Sequence, residues 1–329
     1  ETTTWHIDER GSRKNPYLGS KESKISCYGD SFTFARQVND DETWEYYLSE
    51  LTKTNVQNFG VGNYGLDQAV LRLKRDFPKN PTKIVIMGIV PDTISRILSM
   101  WKHYYEYGNT FGFKPKFKIH DGNLELLKNP INTEKKFGEY EKFLSYIQEN
   151  DFFYKNKFKN EKISFPYSIT ILRNLKRNYG IINWVRKSKK TKSKNQETTK
   201  IPWDLMSIIM KINLDWRIKL FKDKNTIILF KKIIEEYVDY SKQQNFKPIF
   251  VFLPQKDDIL FIKQKYHFYQ EFINELMKIN GLIFIDITKK LIEGENLDKL
   301  YSDDNWYGGH YSKEGNKNIA KFIFSELAI

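Results

Sequence analysis

The chain has 329 residues, 40% of them hydrophobic and 16% aromatic, enough to bury one large core or two small ones and too apolar for a disordered chain. Its formal net charge of +13 suits an anionic partner, whether nucleic acid, phospholipid surface or acidic glycan, and suits equally well a basic surface with no ligand. A single cysteine, Cys27, excludes an internal disulfide and a cysteine zinc site; the five histidines are dispersed without ligand spacing, and no run approaches the ~20 apolar residues that cross a bilayer. No Gly-Lys-Ser/Thr phosphate loop is present, and neither a metal nor a cofactor is expected.

In chain order, a short apolar run at 25–28 reads as a strand that buries Cys27 and ends at Gly29-Asp30-Ser31, after which a helix can begin. A helix at 43–51, with Asp40-Asp41 as its cap, leads to a strand at 55–59, a helix at 66–75 and a strand at 83–87. The next strand-like run comes only at 248–253, far beyond an ordinary connection. Within the gap, 114–119 and 124–127 read as a hairpin turning at Asp121-Gly122, and 139–147 reads as a helix. The stretch 166–184 is apolar but studded with Arg and Lys, 186–200 is a basic run expected to be a mobile surface loop, and 226–244 is an amphipathic helix. A helix at 268–279, a strand at 282–285, a short helix at 288–292 and a last helix at 312–327 complete the chain. Alternation of strand and helix predicts a doubly wound parallel α/β sheet. The expected organisation is a core of 1–96 and 246–329, with 97–245 inserted as a cap between the third and fourth strands and the last helix of the insertion packing on the core.

Two motifs carry chemistry. In a parallel sheet, sites form beyond the carboxyl ends of the strands, and Ser31 stands at such an end, with Gly29 permitting a sharp turn. A serine hydroxyl needs a positioned base, most often histidine. His310 alone among the histidines lies in a glycine-containing loop after a strand, with acids close by and Ser312 placed to cap the final helix.

With Asn58-Phe59-Gly60-Val61-Gly62-Asn63-Tyr64-Gly65 between them, Gly29-Asp30-Ser31 and His310-Tyr311-Ser312 form three ordered blocks that resemble those of the SGNH (GDSL-like) hydrolase superfamily, over 25–96 and 246–320. The resemblance implies a three-layer flavodoxin-like fold with a five-stranded parallel sheet and no cofactor. It makes Ser31 the nucleophile, His310 the base, and the N–H groups of Ser31 and Asn63 the oxyanion hole, with Gly29 and Asp30 in support. Two positions depart from the family pattern. Pro91 stands where an Asn usually donates to the oxyanion, leaving Arg96 or Asn63 to compensate, and Tyr307 stands where an Asp usually orients the histidine. Asp304 is favoured over Asp303 for that task, a Ser–His dyad aided by a backbone carbonyl being the alternative.

The implied activity is hydrolysis of an O-acyl ester, acetyl above all, on a small molecule, a carbohydrate or a cell-envelope glycan. A glycan O-acyltransferase or an inactive glycan-binding protein of the same fold are the alternatives, and a cell-envelope location is favoured over the cytoplasm. Trp101, Tyr104, Tyr105, Tyr107, Phe111 and Phe113 either line a sugar cleft or pack the insertion. The basic segment 167–200 is a candidate contact for an anionic membrane or polymer; no specific nucleic-acid motif accompanies it.

Overall fold

Runs of Ile, Val and Phe buried on both faces build five parallel strands: β1 (Ser23–Gly29), β2 (Asn55–Gly60), β3 (Ile84–Ile89), β6 (Lys247–Phe252) and β7 (Ile283–Asp286). A separate antiparallel pair, β4 (Lys116–His120) and β5 (Asn123–Leu127), turns at Asp121 and Gly122, both with positive φ (48° and 77°) as a tight Asp-Gly turn requires. The computed structural model describes residues 3–19, 22–106, 112–192, 202–294, 296–302 and 309–327.

The large sheet has the order β2-β1-β3-β6-β7, and every pairing is parallel. This is the flavodoxin-like order, whose direction reverses at β1 and β3 and so opens a crevice at their carboxyl ends. Side chains alternate across the sheet with period two. Cys27, Ile86, Ile249 and Val251 face the helices Trp44–Thr52 and Lys313–Glu326 through Trp44, Leu48, Ile319 and Ile323. On the other face Phe250 and Phe252 meet Phe230 of the helix Lys224–Gln244, whose Tyr237 hydroxyl donates to the carbonyl of Val85 at 2.8 Å. The fold class is therefore three-layer α/β.

At the carboxyl ends, three glycines lie side by side. Gly29 of β1 pairs with Gly60 of β2 and with Gly88 of β3. A Cβ at Gly29 would stand 1.9 Å from the Gly88 carbonyl oxygen, and one at Gly60 would stand 2.3 Å from the Phe34 nitrogen. The missing side chains let the segment after β1 fold back over the strand ends, where Thr33 donates to the Gly88 carbonyl at 2.7 Å and Asn58 donates to the Thr33 carbonyl at 2.8 Å.

The chain divides into two compact units. One comprises Glu1–Ile97, Phe117–Glu125 and Arg217–Ile329; the other comprises Leu98–Lys116 and Leu126–Trp216. The stretch 97–245 is thus shared between them, the helix Lys224–Gln244 belonging with the sheet. In the second unit the buried Asp151 organises the backbone, accepting from the N–H groups of Met100 (2.6 Å), Trp101 (3.0 Å), Phe153 (2.8 Å) and Tyr154 (3.0 Å). Trp101, Tyr104 and Tyr105 are buried there as core, so these three do not present faces to a sugar; Tyr107 and Phe111 lie outside the described residues.

Three local expectations change. The cap of the helix Trp44–Thr52 is Thr43, whose hydroxyl accepts from the Tyr46 N–H, while Asp40 turns to Arg13. The basic run expected as a loop from 186 is helical to its first half, in the helix Leu175–Lys192, because Lys and Arg lose little on entering a helix; 193–201 lie outside the described residues. No regular helix follows Ser31. That segment is a series of turns broken by Ala35 at φ 54°, and the carbonyls of Phe34, Ala35 and Val38 that a helix would have satisfied accept instead from the buried Arg13 guanidinium at 2.6, 2.7 and 2.6 Å.

Urea unfolding should separate two glycines of the sheet's carboxyl-end loops and strands. Gly29→Ala is expected to lose about 3 kcal/mol, since backbone must move to admit the methyl. Gly62→Ala, whose added Cβ meets nothing within 4 Å, should change stability by less than about 0.5 kcal/mol.

Candidate active site

The turn after β1 sets Ser31 at the mouth of the sheet, and the loop before the last helix brings His310 to it. His310 Nε2 lies 2.8 Å from Ser31 Oγ. The His310 loop is closed at its base: Ser302 N–H donates to the His310 carbonyl at 2.8 Å, Ser312 N–H donates to the Leu300 carbonyl at 3.0 Å, and the Tyr301 and Tyr311 hydroxyls both donate to the Pro254 carbonyl. The Phe32 ring packs on the imidazole with centroids 4.7 Å apart.

The other imidazole nitrogen finds a partner the sequence did not suggest. Gln37 Oε1 accepts from the His310 backbone N–H at 2.6 Å, from the Ser302 hydroxyl at 2.7 Å, and lies 2.9 Å from His310 Nδ1. A backbone N–H can only donate, so the Gln37 atom facing it is the carbonyl oxygen of the amide. That oxygen can only accept, so Nδ1 carries the proton. In the neutral ring Nε2 then holds a lone pair aimed at the Ser31 hydroxyl, the tautomer a general base requires. Burial, and after it the positive charges of Arg36 and Arg96, push the imidazole down to about 3. His310 is consequently neutral at pH 7.

Asp303, Asp304 and Tyr307 lie outside the described residues. Gln37 was illegible because it sits far from His310 in sequence, within an unpatterned turn; only the three-dimensional return of the loop joins them.

Asp30 anchors the turn that carries Ser31. Its buried carboxylate accepts from Phe32 N–H at 2.8 Å, from Val90 N–H at 3.0 Å and from Arg96 Nη1 at 3.3 Å. Burial raises its pKa, and the Arg96 charge and these N–H bonds act against the rise. Arg96 also donates to the Tyr64 carbonyl at 3.0 Å and to Asp92 at 3.1 Å. It therefore ties together the three loops that follow β1, β2 and β3. Its Nε and Nη1 are engaged by this framework.

The loop after β2 is held to β1 by Val61 N–H on the Gly29 carbonyl at 3.0 Å. Asn63 sits exposed in this loop at φ 67°, a left-handed conformation that Asn tolerates better than most residues. Pro91 is buried in the turn after β3 and has no N–H to offer. Among the described residues no cluster of three or more His, Cys, Asp or Glu could hold a metal ion.

No family model matches the sequence, and no curated protein does. Solved structures similar to this chain are G-D-S-L lipolytic proteins and an acetyl xylan esterase. A G-D-S-L family lipolytic protein of Desulfitobacterium hafniense is 13% identical with a TM-score of 0.45, over 93% of this chain and 100% of that one. The acetyl xylan esterase AlAXEase is 11% identical with a TM-score of 0.43, over 93% and 100%. A G-D-S-L family protein of Veillonella parvula is 10% identical with a TM-score of 0.40, over 93% and 98%.

Nuclear magnetic resonance of the His310 ring tests the tautomer without any substrate. At pH 7 the ring should carry its proton on Nδ1, with a titration midpoint near 3 rather than the ordinary ~6.5. Gln37→Glu places a carboxylate at the same nitrogen and should raise the midpoint by roughly 1–3 units. Gln37→Leu should leave a mixture of tautomers.

Proposed function

We propose that this chain is an SGNH-type serine hydrolase that cleaves an O-acyl ester, with Ser31 as nucleophile and His310 as base. One observation carries the reading: the 2.8 Å contact between Ser31 Oγ and a His310 Nε2 whose lone pair is fixed by the Gln37 oxygen. His310 takes the Ser31 proton as Oγ attacks the ester carbonyl. The negative charge developing on the carbonyl oxygen falls to the N–H groups of Ser31 and Asn63. His310 returns the proton to the departing alkoxide, leaving an acyl-serine. Water, activated by the same imidazole, then releases the carboxylic acid. An acetyl group on a carbohydrate or cell-envelope glycan is the substrate class that the resemblance of the three blocks brings with it. Asp303 or Asp304 would act, if at all, alongside Gln37.

Pro91 favours a second reading, in which the fold binds an acylated glycan without turning it over, because one oxyanion donor is worth ~10²–10³ in rate. A glycan O-acyltransferase differs from the esterase only in the final acceptor, a sugar hydroxyl in place of water.

A fluorophosphonate probe decides between catalysis and binding alone. Adduct at Ser31, found by mass spectrometry, should be absent in Ser31→Ala and slowed by roughly 10³-fold or more in His310→Ala. A folded protein that takes no label sinks the hydrolase reading and leaves glycan binding. If label is found, acetate release from acetylated xylooligosaccharides with and without an added sugar acceptor separates esterase from transferase.

A further inference from the structure

In the second unit, a stretch that ought to be covered is bare. Leu172 lies in the last turn of the helix Tyr167–Arg173 at 65% exposure, and Leu175, Tyr179 and Ile182 follow in the helix Leu175–Lys192 at 58%, 67% and 50%. The last three stand at i, i+4 and i+7, one face of a helix. Ile163, Phe165 and Tyr167, just upstream, are exposed as well. Scattered exposed apolar residues need no explanation, but a contiguous set of large ones marks a surface that meets another apolar phase.

The charge around them is of one sign. From 167 to 192 the sequence carries Arg173, Lys176, Arg177, Arg186 and four further lysines, and no Asp or Glu. Arg173, Lys176 and Arg186 are exposed, while Arg177 is partnered by Glu161 at 3.3 Å. Among the described residues no helix is long and apolar enough to cross a membrane.

We propose that this segment docks on an anionic lipid surface, lying in the plane of the interface with Leu175, Tyr179 and Ile182 in the acyl boundary and the basic side chains at the headgroups. An apolar stripe edged by cations is the pattern such helices share, and long Lys and Arg stems keep their charge at the headgroups while the stripe inserts. Two other occupants fit less well. A second copy would set two wholly basic segments against each other, a like-charge contact that opposes association. A nucleic acid uses cations and aromatic faces, but has no use for Leu and Ile. The inference is independent of the proposed chemistry at Ser31.

Co-sedimentation of the full chain with lipid vesicles tests it. Binding is expected to vesicles of phosphatidylcholine containing phosphatidylglycerol, to weaken with added salt, and to be slight on phosphatidylcholine alone. Leu175→Ser/Tyr179→Ser/Ile182→Ser leaves the charge unchanged and should lower binding at least about ten-fold. Arg173→Gln/Lys176→Gln/Arg186→Gln should lower it about five-fold per charge removed. These positions are exposed, so circular dichroism of both variants should match the parent. Three results would overturn the proposal: no binding of the parent to anionic vesicles; undiminished binding of the triple-serine variant, which leaves adsorption by net charge, as to an oligonucleotide; or self-association of the parent, lost in the triple-serine variant, which assigns the stripe to a second copy.

Discussion

Everything at the mouth of the sheet depends on three absent side chains. Gly60, Gly29 and Gly88 stand in register across β2, β1 and β3, and the segment after β1 lies back on the space they leave. Without that approach Thr33 could not reach the Gly88 carbonyl, nor Asn58 the Thr33 carbonyl, and Ser31 would have no fixed place. The strand itself would survive, because its apolar faces are satisfied elsewhere; what the glycines determine is where the chain goes on leaving it. A reacting serine must be held to a fraction of an ångström, and here close packing of backbone on backbone supplies that rigidity.

Close approach strands carbonyls and N–H groups away from water, and buried ions answer for them. Arg13 satisfies three carbonyls of the turn segment and pairs with Asp40 at 2.8 Å. Arg96 joins Asp30 to Asp92, and Asp92 passes the contact on to Arg217 at 3.3 Å, which pairs in turn with Asp258. Arg217, Asp257 and Asp258 are fully buried, and burial, aided by the neighbouring carboxylates, pushes the Asp257 carboxyl up against the pull of Arg217. Such a chain of ions adds little net stability, because desolvation offsets most of the attraction. Its effect is geometric. Each guanidinium offers donors in a fixed fork, so the ions hold the loop ends in one relative arrangement.

The parts of this architecture that could be read from sequence are those written locally. The five strands show as apolar runs, the hairpin as Asp121-Gly122, and the candidate nucleophile as a Gly-Asp-Ser block at a strand end. Gly29, Asn63 and His310 are legible because their local chemistry is unusual: a close approach, a left-handed backbone, a histidine after two glycines. Arg13 and Gln37 were not legible. Each acts on groups more than twenty residues away or across the whole chain, and nothing in its neighbourhood repeats or caps. The helix expected after Ser31 failed for the same reason. Local propensity allowed it, but a distant arginine satisfied the carbonyls in another conformation. The basic run from 186 erred the other way, since polarity was read as loop where Lys and Arg favour helix.

Gln37 changes what the imidazole can be asked to do. A carboxylate at Nδ1 both fixes the tautomer and stabilises the imidazolium that forms as the serine proton is taken. The Gln37 oxygen does the first as well as a carboxylate would, and does the second only through a dipole. Arg36 and Arg96 act in the opposite direction on the same ring. The base is therefore always in its correct protonation state at neutral pH, yet weakly driven to accept a proton. In the proposed hydrolysis, Pro91 would withhold a donor at the other end of the same transition state. The two deficits concern one event, the build-up of positive charge on His310 and negative charge on the substrate oxygen. In the proposed reaction, what is missing from both would come from contacts with parts of the substrate remote from the ester, which hold it in place as the charges separate. On that proposal the site would be selective by construction, because only a substrate that fills those contacts would supply what the site lacks.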